Sequence, residues 1–191
     1  MKRAVLLPLA MLAALAACEP FEPAVDETKL RAQNEAQEAF EKWVDDTLKG
    51  NAEANYRGTS DRMKSRWLFE RLREEDSLAR DWRFRLTGSA RTDLDLWLAH
   101  NEKNPSRVEL LPSSVLATPS LADLWKDYFK LQFPAIKEQF TRLEIAQVFS
   151  DEQAVSILLR SSLGRDMVEL VPAEGTWKVN HYKRAPGILN R

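Results

Sequence analysis

Apolar side chains recur with a helical period in the first half of the chain. One segment predicts a helix over residues 27–49, which Gly50 is suited to end because glycine tolerates a left-handed backbone. A second helix is predicted to run to about residue 75, with Thr59 or Ser60 as its cap. The apolar stripes of the two helices are formed by Phe40, Trp43, Val44 and Leu48, and by Met63, Trp67, Leu68 and Leu72.

The middle of the chain changes period. Trp82, Phe84 and Leu86 alternate with arginines, which predicts a short, half-buried strand that ends at Gly88. The leucines at positions 94, 96 and 98 are compatible with a strand and with a helix. Residues 104–119 contain three prolines and are expected to form a loop, with a short strand over residues 107–111 left open.

A third helix and a sheet are predicted in the last part of the chain. Ser120 and Asp123 resemble a capping box, and the helix they start is expected to kink or end at Pro134. Beyond it, turn residues at hairpin spacing separate four segments, which predict an antiparallel meander of three or four strands. These segments are residues 142–149, 154–161, 167–172 and 176–183. N-terminal helices packed on a C-terminal antiparallel β-meander predict an α+β fold.

The first residues have the layout of an export signal. Lys2 and Arg3 precede an apolar run over residues 4–15, which is shorter than the roughly 20 residues that a membrane-spanning helix needs. The sequence Leu15-Ala16-Ala17-Cys18 resembles the lipobox of bacterial lipoproteins. The resemblance implies cleavage of residues 1–17 and acylation of Cys18. An acylated tether over residues 18–26 and a single α+β domain over residues 27–191 are then expected. The alternative is an ordinary signal peptide with a chance cysteine.

The lipoprotein resemblance and the composition limit where the protein is located and which reactions it can carry out. Glu19 is not the aspartate that favours inner-membrane retention, so the periplasmic side of the outer membrane is expected. Without Lys2 and Arg3, 26 of the 28 basic residues remain against 29 acidic ones, a formal net charge of −3 that argues against nucleic-acid binding. Acylation of Cys18, the only cysteine, leaves no thiol for a disulfide, a metal or catalysis.

The order of the predicted helices and strands resembles that of a known fold. Helices followed by an antiparallel sheet, whose last strand follows the turn in Glu174-Gly175-Thr176-Trp177-Lys178-Val179, resemble the nuclear-transport-factor-like cone fold. The resemblance covers residues 40–183, and an insertion over residues 82–119 departs from the compact family pattern. It implies helices curled over a sheet that enclose a cavity. Members of the family are binding proteins, structural modules and a minority of enzymes, so the fold alone assigns no function.

Aromatic residues at helical spacing are the first candidates for a site. They are expected either to pack a core or to line a pocket for a small apolar ligand. These residues are Phe40, Trp43, Trp67, Trp125, Tyr128 and Phe129.

Glu169 and His181 are the candidate catalytic residues. Glu169 is predicted to point to the strand face opposite Val168 and Leu170. By the family resemblance, related isomerases and dehydratases use an acidic or histidine base inside the cone, and Glu169 is a candidate for that base. The alternative is a solvent-facing charge or a partner of Arg160 or Lys178. His181 follows Trp177 and Val179 at even spacing, which places it on their face as a general base or as an interior or rim histidine.

The remaining motifs are weak. Asp93 and Asp95 alone do not specify a cation site, and no metal, cofactor or hydrolase motif is present, so neither a metal nor a cofactor is expected. Residues 57–91 carry ten basic and six acidic side chains, a face for an anionic envelope polymer or an acidic protein, or a solvated surface.

Three functions are expected from these patterns. The leading one is a non-catalytic, lipid-anchored module that binds a protein partner, an envelope polymer or a small apolar ligand. The alternative is an isomerase- or hydratase-like enzyme that acts on a small apolar substrate in a cone-shaped cavity. The third is a structural lipoprotein that assists assembly of a larger envelope complex and contacts it through residues 57–91 or 104–119.

Overall fold

The computed structural model describes residues 26–151, 153–161 and 164–184. The predicted signal peptide, Cys18 and residues 18–25 of the predicted tether lie outside the described residues. The described part is α+β, with helices first and an antiparallel sheet last, as predicted. Its elements in chain order are α1 Glu27–Leu48, α2 Ala52–Arg57, α3 Asp61–Arg73, α4 Ser77–Arg85, α5 Gly88–Glu102, α6 Ser113–Leu116, α7 Pro119–Phe140, β1 Glu144–Ser150, β2 Val155–Ser161, β3 Gly164–Ala173 and β4 Thr176–Arg184.

The first two predicted helices are confirmed. The carboxylate of Asp26 accepts from the first free N–H groups of α1, and Gly50 follows the helix with a φ of +76°. Ser60 caps α3, because its Oγ accepts from the backbone N–H of Met63 at 3.1 Å. The residues of α1 that are buried recur every three or four positions, which is why this face packs inward.

The predicted strand at Trp82 is wrong, because this segment forms α4. Asp76 caps the helix by accepting from the N–H groups of Leu78 and Ala79 at 2.9 and 3.3 Å. Ala79 and Trp82 form its buried face, whereas Phe84 is 67% exposed, so the alternation of apolar residues did not reflect burial. The leucines at 94, 96 and 98 lie on α5.

Residues 107–111 form no strand, and their backbone is held by side chains instead. The N–H of Glu109 donates to Asn101 Oδ1 at 2.7 Å, and the N–H of Leu111 donates to Ser65 Oγ at 2.8 Å. The indole of Trp97 donates to the carbonyl of Glu109 at 3.1 Å. This loop is therefore anchored to α3 and α5 without joining the sheet.

The third predicted helix is confirmed, but both of its ends differ from the prediction. It begins at Pro119, with Thr118 at the cap position and no side-chain cap. Ser120 lies inside the helix and accepts a hydrogen bond from Trp82 Nε1 at 3.1 Å. The helix passes through Pro134 and ends at Phe140. Pro134 is exposed, so solvent can satisfy the carbonyl that a proline leaves unbonded, while the apolar face on the opposite side keeps the helix packed.

The four strands pair in the order β1-β2-β3-β4, which confirms the predicted meander. Glu174 and Gly175 both have positive φ, the backbone of a two-residue hairpin turn between β3 and β4. A bulge breaks the register of this hairpin, because Glu169 lies opposite His181 whereas Leu170 lies opposite Val179. Asn180 is therefore the extra residue of β4.

Two clusters of buried side chains hold the described residues together. The helix–sheet core joins α1 and the end of α7 to one face of the sheet, here called the inner face. The helical core lies among α3, α4, α5, α6 and α7. The inner face carries Val155, Ile157, Leu159, Val168, Leu170 and Val179, none of them more than 1% exposed. The α+β class and the order of elements are confirmed, and the nuclear-transport-factor-like cone stays a prediction.

None of the helices in the described residues has both the length and the apolar character needed to cross a bilayer.

Candidate functional site

A cavity of about 310 Å³ lies where the helical core meets the helix–sheet core. We call it the aromatic cavity, because seven of its thirteen lining residues are aromatic. These are Trp43, Trp67, Trp125, Tyr128, Phe129, Phe140 and Tyr182. The others are Thr47, Asn55, Met63, Gln132, Ile136 and Gln139. No charged side chain is among the described residues that line it, so its wall is uncharged and mostly aromatic.

Five of the six aromatic residues singled out in the sequence line this cavity. The exception is Phe40, which is 1% exposed and packs within the helix–sheet core. The rings also pack on one another, with centroids 4.7 Å apart for Trp67 and Trp125 and 5.2 Å apart for Trp67 and Tyr128. The same side chains therefore serve as core and as cavity wall.

A buried asparagine fixes the floor of the aromatic cavity. Asn55 is 3% exposed, and its Oδ1 accepts from the indole of Trp125 at 3.0 Å while its Nδ2 donates to Thr47 Oγ1 at 2.8 Å. The indole of Trp43 donates to the backbone carbonyl of Asn55 at 3.1 Å. Two of the cavity's indole rings are thus oriented by one residue, because a buried polar group is costly unless it is bonded.

Two carboxylates orient the tyrosines of the wall. The Tyr128 hydroxyl donates to Asp76, the residue that caps α4, and the Tyr182 hydroxyl donates to Asp166 at 2.9 Å. Burial acts to raise the pKa of Asp76, but hydrogen bonds from Tyr128 and from the N–H groups of Ala79 and Leu78 outweigh it and hold the pKa below its ordinary value. Burial and the Asp76 carboxylate raise the pKa of Tyr128, so its hydroxyl stays protonated.

The mouth of the cavity is polar. Gln132 is exposed on α7, and Gln139 is half-buried and donates to the Tyr182 hydroxyl at 2.9 Å. By contrast, Thr47 is 1% exposed and donates to the carbonyl of Trp43. The cavity thus runs from a solvated rim to a floor whose polar groups are already bonded within the protein.

His181 lies on the outer face of the sheet, so the prediction that it shares a face with Trp177 and Val179 is wrong. The bulge at Asn180 shifts the alternation by one residue. Val179 keeps the inner face opposite Leu170, while His181 lies opposite Glu169. As a result Tyr182, not His181, reaches the aromatic cavity.

Glu169 also lies on the outer face, on the opposite side of the sheet from the helix–sheet core. Its neighbours Val168 and Leu170 are fully buried on the inner face, and a strand alternates its side chains between faces. The expectation of a base inside the cone is therefore wrong for this residue. Its Oε1 accepts from Asn180 Nδ2 at 2.6 Å, rather than from Arg160 or Lys178.

Glu169 and His181 line a groove of about 360 Å³ together with Arg62, Arg66 and Asn180. We call it the outer groove. All five side chains are exposed or half-buried, so the groove offers no desolvated environment to a reacting group. Asn180 accepts from Ser60 Oγ at 2.8 Å, which links the groove to the start of α3.

A larger surface depression of about 760 Å³ lies between Arg62, residues 107–110 and the outer face of β3 and β4. Its acidic side chains have partners: Asp61 with Lys64 at 3.0 Å, Glu109 with His100 at 3.2 Å, and Glu174 with Lys178. Among the described residues that line it, Ser60 is the only buried one. Its size exceeds that of the aromatic cavity, but it lacks the buried walls that bind a small molecule.

The basic face over residues 57–91 is largely neutralised by its own acidic neighbours. Arg83 and Arg91 both pair with Asp95, at 2.9 and 2.8 Å, and Asp93 accepts from Ser114 at 2.6 Å. Four more of its basic residues pair with an acidic residue three or four positions away: Arg57, Lys64, Arg66 and Arg71. Lys64 is buried, whereas the other pairs are at the surface and contribute little to stability. No cluster of three metal-ligating side chains occurs among the described residues.

No protein-family model, curated protein or solved structure matches this chain. The site must therefore be interpreted from its own geometry.

Asn55, Asp76 and Tyr182 are among the residues of the site that were not singled out from the sequence. Asn55 carries no periodic signal, because its role depends on two indoles that are distant in the chain. Asp76 could have been found as the cap of a helix if the Trp82 segment had been taken as helical. Tyr182 could not be assigned to the cavity without the bulge in β4, and no local sequence motif predicts that bulge.

Proposed function

We propose that this protein is a lipid-anchored lipoprotein of the bacterial cell envelope whose folded part is a non-catalytic binding module. Its binding site is the aromatic cavity, and its ligand is a small, largely apolar molecule. The cavity itself is the observation that carries the proposal. Its volume of about 310 Å³ is at the lower end of small-molecule sites, which are commonly apolar clefts of about 300–1,000 Å³ with a few polar groups.

The buried walls favour binding over simple packing. Trp43, Trp125, Tyr128, Phe129 and Phe140 are each less than 10% exposed and yet border a void. Their orientation is set by bonds to Asn55 and Asp76, so the site is largely formed before a ligand arrives. A preformed site saves the ordering entropy that binding would otherwise cost.

The anchor is supported by the sequence. Basic residues, an apolar run and Leu15-Ala16-Ala17-Cys18 stand in the order that export and lipidation require. Two or three acyl chains on Cys18 hold a protein on a membrane far more firmly than one chain. We further propose the periplasmic side of the outer membrane as its location, and a cone-like arrangement of helices over the sheet.

The enzymatic alternative loses the bases that were considered for it. Glu169 and His181 do not line the aromatic cavity and instead lie in the outer groove among exposed or half-buried neighbours. A substrate in the cavity would be separated from both by the sheet. The binding module is therefore the function that the geometry supports better.

Calorimetric titration tests the proposal. The full chain, purified from membranes and reconstituted in phosphatidylglycerol nanodiscs, is titrated with benzyl alcohol, cyclohexanol and indole, and the heat from empty nanodiscs is subtracted. At least one of these neutral molecules should bind saturably. Replacing Ile136 by Phe fills the cavity from α7 and should weaken that binding at least tenfold.

The matched control is Leu131→Phe, which adds a ring to the same helix at a position that is 68% exposed and outside the cavity. It should leave binding unchanged. Equal binding by all three proteins would place the ligand elsewhere. An absence of saturable binding to the unaltered protein would contradict the proposal.

A further inference from the structure

The charge distribution around the aromatic cavity narrows the class of ligand. Three indole rings and two phenol rings line it, and an aromatic ring carries partial negative charge on its face. No lysine, arginine or histidine is among the described residues that line it. A positively charged group would therefore meet aromatic faces without an opposing cation.

The hydroxyl group of each tyrosine in the cavity wall donates a hydrogen bond to a carboxylate. Asp166 is 3% exposed and accepts from the Tyr182 hydroxyl, and Asp76 accepts from the Tyr128 hydroxyl. Both hydroxyl hydrogens are thus directed to carboxylates and do not oppose a cation in the cavity. Arg71 lies near Asp76, but its guanidinium also pairs with Glu74 at 3.0 Å, so these three side chains together keep a negative balance.

The polar groups of the floor favour a cation without N–H groups. A primary ammonium seeks three hydrogen-bond acceptors, whereas Asn55 Oδ1 and Thr47 Oγ1 each already accept one hydrogen bond, from Trp125 and from Asn55. A quaternary ammonium has no N–H group, so it loses no hydrogen bonds when it enters an aromatic site. Its attraction to ring faces increases as water is removed.

We infer that the ligand of the aromatic cavity carries a quaternary ammonium group, held against the faces of its tryptophan and tyrosine rings. This inference rests on the proposed function, because it names the chemistry of the ligand for the same cavity. It adds one requirement, that positive charge and not apolar shape alone determines affinity.

A pair of ligands with the same shape tests the inference. Choline is compared with its neutral carbon isostere, in which a tert-butyl group replaces the trimethylammonium group. The full chain is titrated in phosphatidylglycerol nanodiscs, which contain no choline headgroup. Choline should bind at least about tenfold more tightly than the isostere, a difference of about 1.4 kcal/mol.

A charge placed at the mouth provides the second test. Gln132 is exposed, so Gln132→Lys should fold normally, and its ammonium should lower the ratio of the choline affinity to the isostere affinity about tenfold, because it repels only the charged ligand. The matched control is Leu131→Lys, the same charge on the neighbouring exposed residue outside the cavity. It should have little effect on either ligand.

The outcomes separate this inference from the proposed function. If choline and its isostere bind equally well and Gln132→Lys affects neither, the ligand does not need a quaternary ammonium group. The proposed function, a module that binds an apolar ligand, would then stand without this inference. Failure of choline, the isostere and the neutral molecules to bind would overturn both. Tight choline binding that survives Gln132→Lys would place the cation outside this cavity and contradict the inference.

Discussion

The aromatic cavity and the outer groove lie on opposite faces of the same strand, and they differ in what the protein has built around them. In the cavity, indoles and phenols are less than 10% exposed or half-buried and are oriented by buried polar partners. In the groove, Glu169 and His181 are half-buried beside exposed arginines. Titratable side chains in a solvated groove are therefore weaker evidence for a ligand-binding site than buried side chains that are held in place by hydrogen bonds.

The largest expected effect comes from Asn55. Replacing it by Ala leaves the buried indole N–H of Trp125 without its acceptor and removes the bond to Thr47, which should lower the free energy of unfolding by about 3 kcal/mol. The same change at Asn180, in the outer groove, should cost only about 1 kcal/mol because solvent can replace its bonds. Chemical denaturation of both variants measures the difference. Equal losses would mean that the two regions are not distinct.

The second-largest loss of stability is expected when Gly58 is replaced. A Cβ at Gly58 would lie 2.6 Å from Trp43 Cδ1, so Gly58→Ala must displace a cavity wall and should cost about 2 kcal/mol. Its φ of −76° is ordinary, so no backbone strain is involved. The control is Gly88→Ala, which has a φ of +62° but no atom within 4 Å of its Cβ. Thermal unfolding and ligand titration should show that only Gly58→Ala weakens binding.

A smaller effect is expected at Tyr128. Tyr128→Phe removes the hydroxyl that bonds Asp76 and should cost about 1 kcal/mol at neutral pH. The pKa of Asp76 is below its ordinary value of 3.8, so this stabilisation is present above about pH 4 and is lost as the pH falls through the folded-state pKa. Denaturation curves between pH 2 and pH 7 should show a weaker acid dependence in the variant. An unchanged dependence would show that the hydroxyl does not hold this carboxylate.

The smallest effect is expected in the outer groove. Glu169→Gln keeps the shape of the side chain and can still accept from Asn180, so stability should change by less than about 0.5 kcal/mol. Binding of the cavity ligand, measured by calorimetry, should be the same as in the unaltered protein. A tenfold loss of binding would return this carboxylate to the candidate site.

The fold was predictable where one period ran over a long segment. The α1 stripe and the hairpin turns of the sheet gave the helix and the meander correctly, because burial on one face determines both patterns. At Trp82 the alternation with arginines was accidental, and the cap at Asp76 decided the structure. At Pro134 tertiary packing overrode the local preference of proline to end a helix.

The site was predictable in composition but not in detail. The aromatic residues were visible in the sequence because a core and an apolar cavity need the same side chains at the same spacing. The face of His181 was not, since one extra residue at Asn180 reverses the alternation and a bulge depends on pairing with the neighbouring strand. Buried polar contacts such as Asn55 with Trp125, 70 residues apart, have no local signature.

The six tryptophans allow the most direct test, because Trp43, Trp67 and Trp125 line the aromatic cavity and Trp82, Trp97 and Trp177 do not. The protein is labelled with fluorotryptophan, its resonances are assigned by single Trp→Phe substitutions, and indole is titrated while fluorine spectra are recorded. The three cavity resonances should shift together and saturably while the other three stay in place. Movement of the Trp177 resonance alone, or no movement of the cavity resonances when calorimetry shows binding, would contradict binding in the aromatic cavity.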